Sequence, residues 1–138
     1  MTHIAIAGGG IGGLSAALAL ARRGVRVTVT ERQTDFTELG AGIQLAPNAF
    51  RALAQLGVEK EVTDRACHID RLQLRDGLAG SILTNLDLDV SYRAAFGYPY
   101  AVVHRSDLYE PLLRACRADP LIHLIPGLAC IGYRQDDQ

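Results

Sequence analysis

Residues 5–17 read AIAGGGIGGLSAA, with five glycines within six positions between two apolar runs. What flanks the glycines decides the fold. Upstream, THIAIA at 2–7 sets β-branched Ile4 and Ile6 at alternate positions and then stops at glycine, the pattern of a buried strand. Downstream the period changes: Leu14, Leu18 and Ala21 recur at helical spacing, and Gly24 follows as a helix terminator. From Val25, VRVTVT returns to period-two alternation with β-branched residues. Strand, glycine turn, helix and strand in this order make a βαβ unit.

Within that unit Gly8, Gly10 and Gly13 match G-x-G-x-x-G, and each has a physical task. Gly8 permits the tight turn off the strand. Gly10 removes the side chain that would keep a pyrophosphate from the backbone. Gly13 lets helix and strand approach closely. The helix N-terminus then offers unpaired N–H groups and partial positive charge to phosphate. Glu31 stands at the end of the second strand, 18 residues past Gly13. A carboxylate there accepts the hydroxyls of an adenosine ribose and repels a 2′-phosphate, whereas neighbouring Arg32 could accommodate one. Glu31 holds the better position, which favours a dinucleotide with a free ribose, NAD or FAD.

Composition narrows the remaining classes. The chain has 138 residues, 49% hydrophobic and 21% charged, with a formal net charge of −1, which suits one soluble globular domain. Such a balance gives no electrostatic case for nucleic acid or an anionic membrane surface. Cys67, Cys116 and Cys130 are odd in number and lack a C-x-x-C pair, and the four histidines show no metal spacing, so no metal site is expected. The uncharged run from Ile4 to Ala21 has no positive segment before it, which argues against a secretory peptide. A cytoplasmic protein is expected.

Three segments together carry a family resemblance. The run LGAGIQLAPNA at 39–49 follows the βαβ unit where a dehydrogenase would start another one. It predicts a short strand at IQL and a helix opened by PN, with Asn48 as N-cap and Leu53 and Leu56 on one face. FGYPYAVVHRSDLYEPLL at 96–113 predicts a strand ending in H-R-x-D-L and then a helix capped by Ser106 or Asp107, its Leu108, Leu112 and Leu113 facing inward. With AIAGGGIGGLSAALALARRG and VTVTER, these segments resemble the FAD-dependent aromatic hydroxylases, the single-component flavoprotein monooxygenases typified by salicylate, 3-hydroxybenzoate and 6-hydroxynicotinate hydroxylases.

The resemblance implies several site residues. Gly8, Gly10, Gly12, Gly13, Glu31 and Arg32 would bind FAD, and Gln44 would lie along the cofactor. Arg105, the arginine of H-R-x-D-L, would touch the flavin cofactor, its guanidinium suited to ribityl hydroxyls or pyrophosphate. Leu128, placed near the start of a later strand, would lie close to the adenine. His104 reads as structural. The resemblance also implies that NADH or NADPH reduces FAD, and that a flavin C4a-hydroperoxide then hydroxylates a small phenolic substrate such as a hydroxybenzoate. FGYPYAVVHR tilts the substrate toward the 3-hydroxybenzoate or salicylate type. A different FAD oxidoreductase with two dinucleotide domains, or a nucleotide-binding chain without turnover, remains an alternative, and a homodimer remains open.

The expected fold is α/β: a Rossmann-like FAD-binding domain over 1–138 with a parallel sheet from strands near 3–7, 26–30 and 121–125. Helices are expected near 11–23 and 106–117. A stretch of roughly 66–104 would be an inserted β-hairpin region toward a substrate-side sheet, with Asp76-Gly77 at its turn. Tyr92, Phe96, Tyr98 and Tyr100 would fill a core or line a pocket. The resemblance covers only the N-terminal part of the family and reaches none of its later motifs. The chain is therefore expected to be the front portion of a longer hydroxylase with no catalytic residues of its own, and the uncovered sheet is expected to leave it marginal or paired.

Overall fold

The computed structural model describes residues 2–37 and 40–135. Leu39, which opens the run LGAGIQLAPNA, therefore lies outside the described residues, as do Glu38 and residues 136–138. The chain divides into two compact units, Met1–Leu39 with Leu108–Gln138 and Gly40–Asp107.

The first unit holds β1 (His3–Ala7), α1 (Ile11–Ala21), β2 (Arg26–Thr30), most of α5 (Arg105–Ala118) and β8 (Ile122–Ile125). Its sheet has the order β1-β2-β8, and both pairings are parallel. The register sets Ile4 beside Val27 and Ile6 beside Val29, then Val27 beside Ile122 and Val29 beside Leu124. Paired residues of a parallel sheet share a face, so these six side chains form one apolar surface. α1 lies against it through Leu14, Ala17, Leu18 and Ala21, all buried. Val27 and Val29 are completely buried, whereas Ile4 and Ile6 are only half-buried. The buried strand is thus β2 and not β1, because among the described residues β1 is paired on one side only. Each fully buried Leu or Val here contributes ~1.5–3 kcal/mol.

α5 runs beside α1 and buries Leu108, Tyr109, Leu112, Leu113 and Cys116. Two hydrogen bonds join them: the Tyr109 hydroxyl donates to the Gly9 carbonyl at 3.0 Å, and the Cys116 thiol donates to the Leu14 carbonyl at 3.5 Å. Seven residues on α5 span two turns, so both donors lie on one helix face.

The second unit holds β3 (Gly42–Leu45), α2 (Pro47–Leu56), α3 (Glu59–Arg65), β4 (Cys67–His68), β5 (Arg71–Arg75), β6 (Ile82–Asp87), α4 (Val90–Phe96) and β7 (Ala101–His104). One antiparallel sheet has the order β3-β7-β4, and β5 pairs with β6 as a separate hairpin. Leu53 and Leu56 are buried as their spacing predicts, but α2 starts differently. Its N-cap is Ala46, and Asn48 sits inside the first turn, because Pro47 takes the first helical position with its φ already set. α5 likewise begins at Arg105, earlier than a Ser106 or Asp107 cap would allow, and His104 Nδ1 accepts from the Ser106 N–H at 3.4 Å.

The hairpin forms where Asp76-Gly77 predicts it, with a longer turn. Asp76 Oδ1 accepts from the N–H groups of Leu78 and Ala79, and Gly80, not Gly77, takes positive φ. Leu72 pairs with Leu86 and Leu74 with Thr84 on one face, and all three leucines are exposed. The opposite face is polar, with an Arg71–Asp87 ion pair and a Gln73–Asn85 hydrogen bond.

Candidate functional site

The glycine turn connects β1 to α1. Gly8 has φ +106°, a conformation that side-chain-bearing residues rarely adopt, and its N–H donates to the Thr30 carbonyl at 2.8 Å. A Cβ at Gly13 would stand 1.9 Å from the Gly8 oxygen and 3.5 Å from Ile6 Cγ2, so Gly13 is where helix, turn and strand meet. At Gly8, Gly10 and Gly12 an added Cβ would meet nothing within 4 Å. Gly10 is the N-cap of α1, and no side chain caps the helix there. The first N–H groups of a helix have no intrahelical acceptor, so the turn presents amide donors and the positive end of a helix dipole beside open space.

Glu31 immediately follows β2. Its Oε2 accepts from the Gly9 N–H at 2.8 Å and its Oε1 from the Gln33 N–H at 3.0 Å. The Gln33 and Gly9 bonds, with a smaller contribution from the Arg32 charge, hold its carboxyl below the usual carboxylate range against a weak desolvation penalty. Each oxygen has a lone pair left after one bond, so the ionised carboxylate can accept two further hydroxyls.

Beside it is an open recess of about 190 Å³ lined by residues including Ala7, Gly8, Glu31, Arg32, Leu128 and Cys130. That is smaller than the ~300–1,000 Å³ of a pocket enclosing a whole ligand, and suits one end of a long one. Leu128 is held here by its N–H bond to the Glu31 carbonyl at 2.8 Å, next to a Gly127 N–H bond to the Gln33 carbonyl. It lies in an irregular segment after β8, not in a strand, since Gly127 at φ +71° turns the chain.

Of the residues singled out in the sequence, Gly8, Gly10, Gly12, Gly13, Glu31, Arg32 and Leu128 thus belong to the turn and recess of the first unit. Gln44 and Arg105 belong to the second. Gln44 Oε1 accepts from the Tyr100 hydroxyl at 2.6 Å. Gly40 makes room for the Arg105 side chain, whose Cδ would stand 2.7 Å from a Cβ at that position. The aromatic cluster is not a core: Tyr92 packs on Phe96, Tyr98 stacks on Phe50, and of these only Phe50 is fully buried.

Three residues of the site escaped the sequence. Gly9 is buried under the Phe36 ring, whose Cε1 would stand 2.3 Å from an added Cβ, and Tyr109 reaches the Gly9 carbonyl from α5. The run of three glycines hints that the middle one is packed. Nothing local marks Phe36 or Tyr109. Among the described residues, no group of three or more metal-ligating side chains comes together, and no helix is long and apolar enough to cross a membrane.

A parallel sheet, a glycine turn at a helix N-terminus and a carboxylate at the end of the second strand define a dinucleotide-binding protein. The open space at three glycines and the spare lone pairs of Glu31 fit the ADP half of FAD. Residues 1–120 match the FAD binding domain family, and the chain belongs to it. It is 43% identical over 131 residues to 3-hydroxybenzoate 6-hydroxylase 1 of Aquipseudomonas alcaligenes, covering 95% of this chain and 33% of that protein. The p-nitrophenol 4-monooxygenase PnpA from Pseudomonas putida DLL-E4 shares the fold, with TM-score 0.84 at 22% identity over 99% of this chain and 35% of the other. Klebsiella pneumoniae HpxO, solved with FAD and uric acid, gives TM-score 0.69 at 27% identity over 89% of this chain and 30% of its own. The chain spans about a third of the length of the relatives it matches.

Proposed function

We propose that this chain is the FAD-binding portion of an NAD(P)H-dependent monooxygenase that hydroxylates a phenolic aromatic acid. The observation that carries the reading is Glu31, ionised and held against the glycine turn by the Gly9 and Gln33 amides beside an open recess of about 190 Å³. Likeness to a 3-hydroxybenzoate hydroxylase supports the substrate class. In this reading Glu31 accepts the ribose hydroxyls, the Gly8–Gly13 turn and the N-terminus of α1 take the pyrophosphate, and Leu128 packs on the adenine. Gln44 and Arg105 are further proposed cofactor contacts. Bound FAD, reduced by NADH or NADPH, supplies the activation of dioxygen, one atom of which enters the aromatic ring while the other leaves as water. The stretch of roughly 66–104, with its hairpin, is the insertion toward the substrate side. Two exposed free cysteines suit a reducing cytoplasm.

Flavin fluorescence titration of the chain tests the cofactor: saturable quenching by FAD, competed by ADP-ribose, is expected, and unquenched fluorescence refutes it. Sequencing the reading frame beyond codon 138 and assaying the encoded protein tests the rest. Oxygen uptake with NADH or NADPH should rise when 3-hydroxybenzoate or salicylate is added and yield a dihydroxy acid. Oxidation of an amine or alcohol instead would place the protein in another flavoenzyme class.

A further inference from the structure

We infer that Tyr109 is a positioning residue for the phosphate cradle, acting through the Gly9–Gly10 peptide; the inference rests on the FAD reading above. Gly9 is fixed from three directions. Its N–H donates to Glu31 Oε2 at 2.8 Å, its Cα lies under the Phe36 ring, and its carbonyl accepts from the Tyr109 hydroxyl at 3.0 Å. Tyr109 is only 3% exposed and reaches this atom across 100 positions of sequence, so the bond is a tertiary contact shielded from water.

The carbonyl of Gly9 and the N–H of Gly10 belong to one planar trans peptide and point in opposite directions. Anchoring that carbonyl on Tyr109 therefore aims the Gly10 N–H away from α5. Gly10 is also the N-cap of α1 and has open space where a side chain would be. A hydrogen bond to the oxygen of a peptide polarises it and strengthens its N–H as a donor. Tyr109 thus both orients and sharpens an amide that serves the pyrophosphate. Cys116, on the same face of α5, ties the helix to Leu14 and keeps the phenol in place.

The test compares FAD affinity with thermal stability in the full chain, for the parent sequence, Tyr109→Phe and Leu113→Ala. Leu113 is buried on the same helix, and its truncation serves as a purely structural change. Tyr109→Phe is expected to weaken FAD binding about fivefold, the worth of one buried hydrogen bond, with a small change in melting temperature. Leu113→Ala is expected to lower the melting temperature more and leave the FAD dissociation constant unchanged. Parent-like FAD affinity in Tyr109→Phe, or a loss matched by Leu113→Ala, overturns the inference and leaves the flavin reading intact. Failure of the parent chain to bind FAD refutes that reading instead, and the inference with it. If Tyr109→Phe does not fold, Phe36→Leu loosens the same clamp from the other side and is judged by the same comparison.

Discussion

Alanine placed at Gly10 and at Gly13 should produce opposite phenotypes, because one glycine faces open space and the other faces backbone. At Gly13 the new Cβ would lie 1.9 Å from the Gly8 oxygen, and the turn must open by about 1.1 Å to restore even a 3.0 Å contact. Alanine gains about 1 kcal/mol over glycine inside a helix. Overpacking against backbone that cannot swing aside costs up to ~3 kcal/mol or more, leaving Gly13→Ala about 2 kcal/mol less stable without ligand. At Gly10 the backbone lies at φ −73°, ψ −178°, open to any residue, and the added Cβ touches nothing. Gly10→Ala therefore loses at most the N-cap preference, under about 1 kcal/mol. In the proposed binding mode the methyl group would intrude on the pyrophosphate, and a cost of ~2 kcal/mol corresponds to binding about 30-fold weaker. Urea unfolding by circular dichroism in the absence of flavin, with fluorescence titration of FAD on each folded variant, separates the two effects. FAD affinity within threefold of the parent in Gly10→Ala, or an unchanged urea midpoint in Gly13→Ala, would refute the reasoning.

Glu31 has a lowered folded-state pKa, so its stabilising contribution is complete above its unfolded value near ~4.3 and is lost as pH falls through the folded value. Melting temperature should drop on acidification below about pH 4.5, and Glu31→Gln should flatten that part of the profile while weakening FAD binding about tenfold. Burial, with a smaller push from Asp119, raises the Cys116 thiol to about 12, whereas Cys67 and Cys130 are exposed. Two thiols should therefore react with a disulfide reagent at pH 8 and the third only in denaturant; FAD should slow Cys130, which lines the recess, more than Cys67. Three or no reactive thiols in the native chain would contradict this burial pattern. Leu74→Ser and Leu86→Ser together should reduce binding of an apolar dye with little change in melting temperature, since both leucines are exposed; a cooperative loss of fold would show that this face is already covered.

The first unit was legible wherever local pattern and tertiary role coincide. β1, α1 and β2 fall where alternation and helical spacing place them, because one face of each element packs against a neighbour. β8 and α5 were found for the same reason. The misreadings share a different physics. Asn48 lost the cap to Ala46 because the fixed φ of Pro47 outweighs a side-chain preference. Leu128 is apolar but follows a turning Gly127, so no strand starts there. The short α4, capped by Asp89 Oδ1 on the Ser91 and Tyr92 amides, has too few turns for periodicity to show. At the candidate site, the glycines and Glu31 announce themselves by spacing, since the turn is built from residues near in sequence and Glu31 follows the next strand. Phe36 and Tyr109 do not, since what matters is which distant atom they meet.

The first unit is made of two stretches of chain separated by the whole of the second. Thr30 of β2 pairs with Ile125 of β8, and the Glu31 carbonyl takes its bond from Leu128. During synthesis the glycine turn and Glu31 emerge early, but the Tyr109 anchor, the third strand and the far wall of the recess arrive roughly eighty to a hundred residues later. Closing a flexible loop of that length costs about 4 kcal/mol in chain entropy, against much less for the hairpin inside it. The continuous segment is thus free to fold first, while the nascent nucleotide site waits half-built. A ligand that binds only the closed unit would draw it shut by mass action. Flavin supply during expression should then govern how much of the chain reaches the soluble fraction, as well as how much of it is yellow.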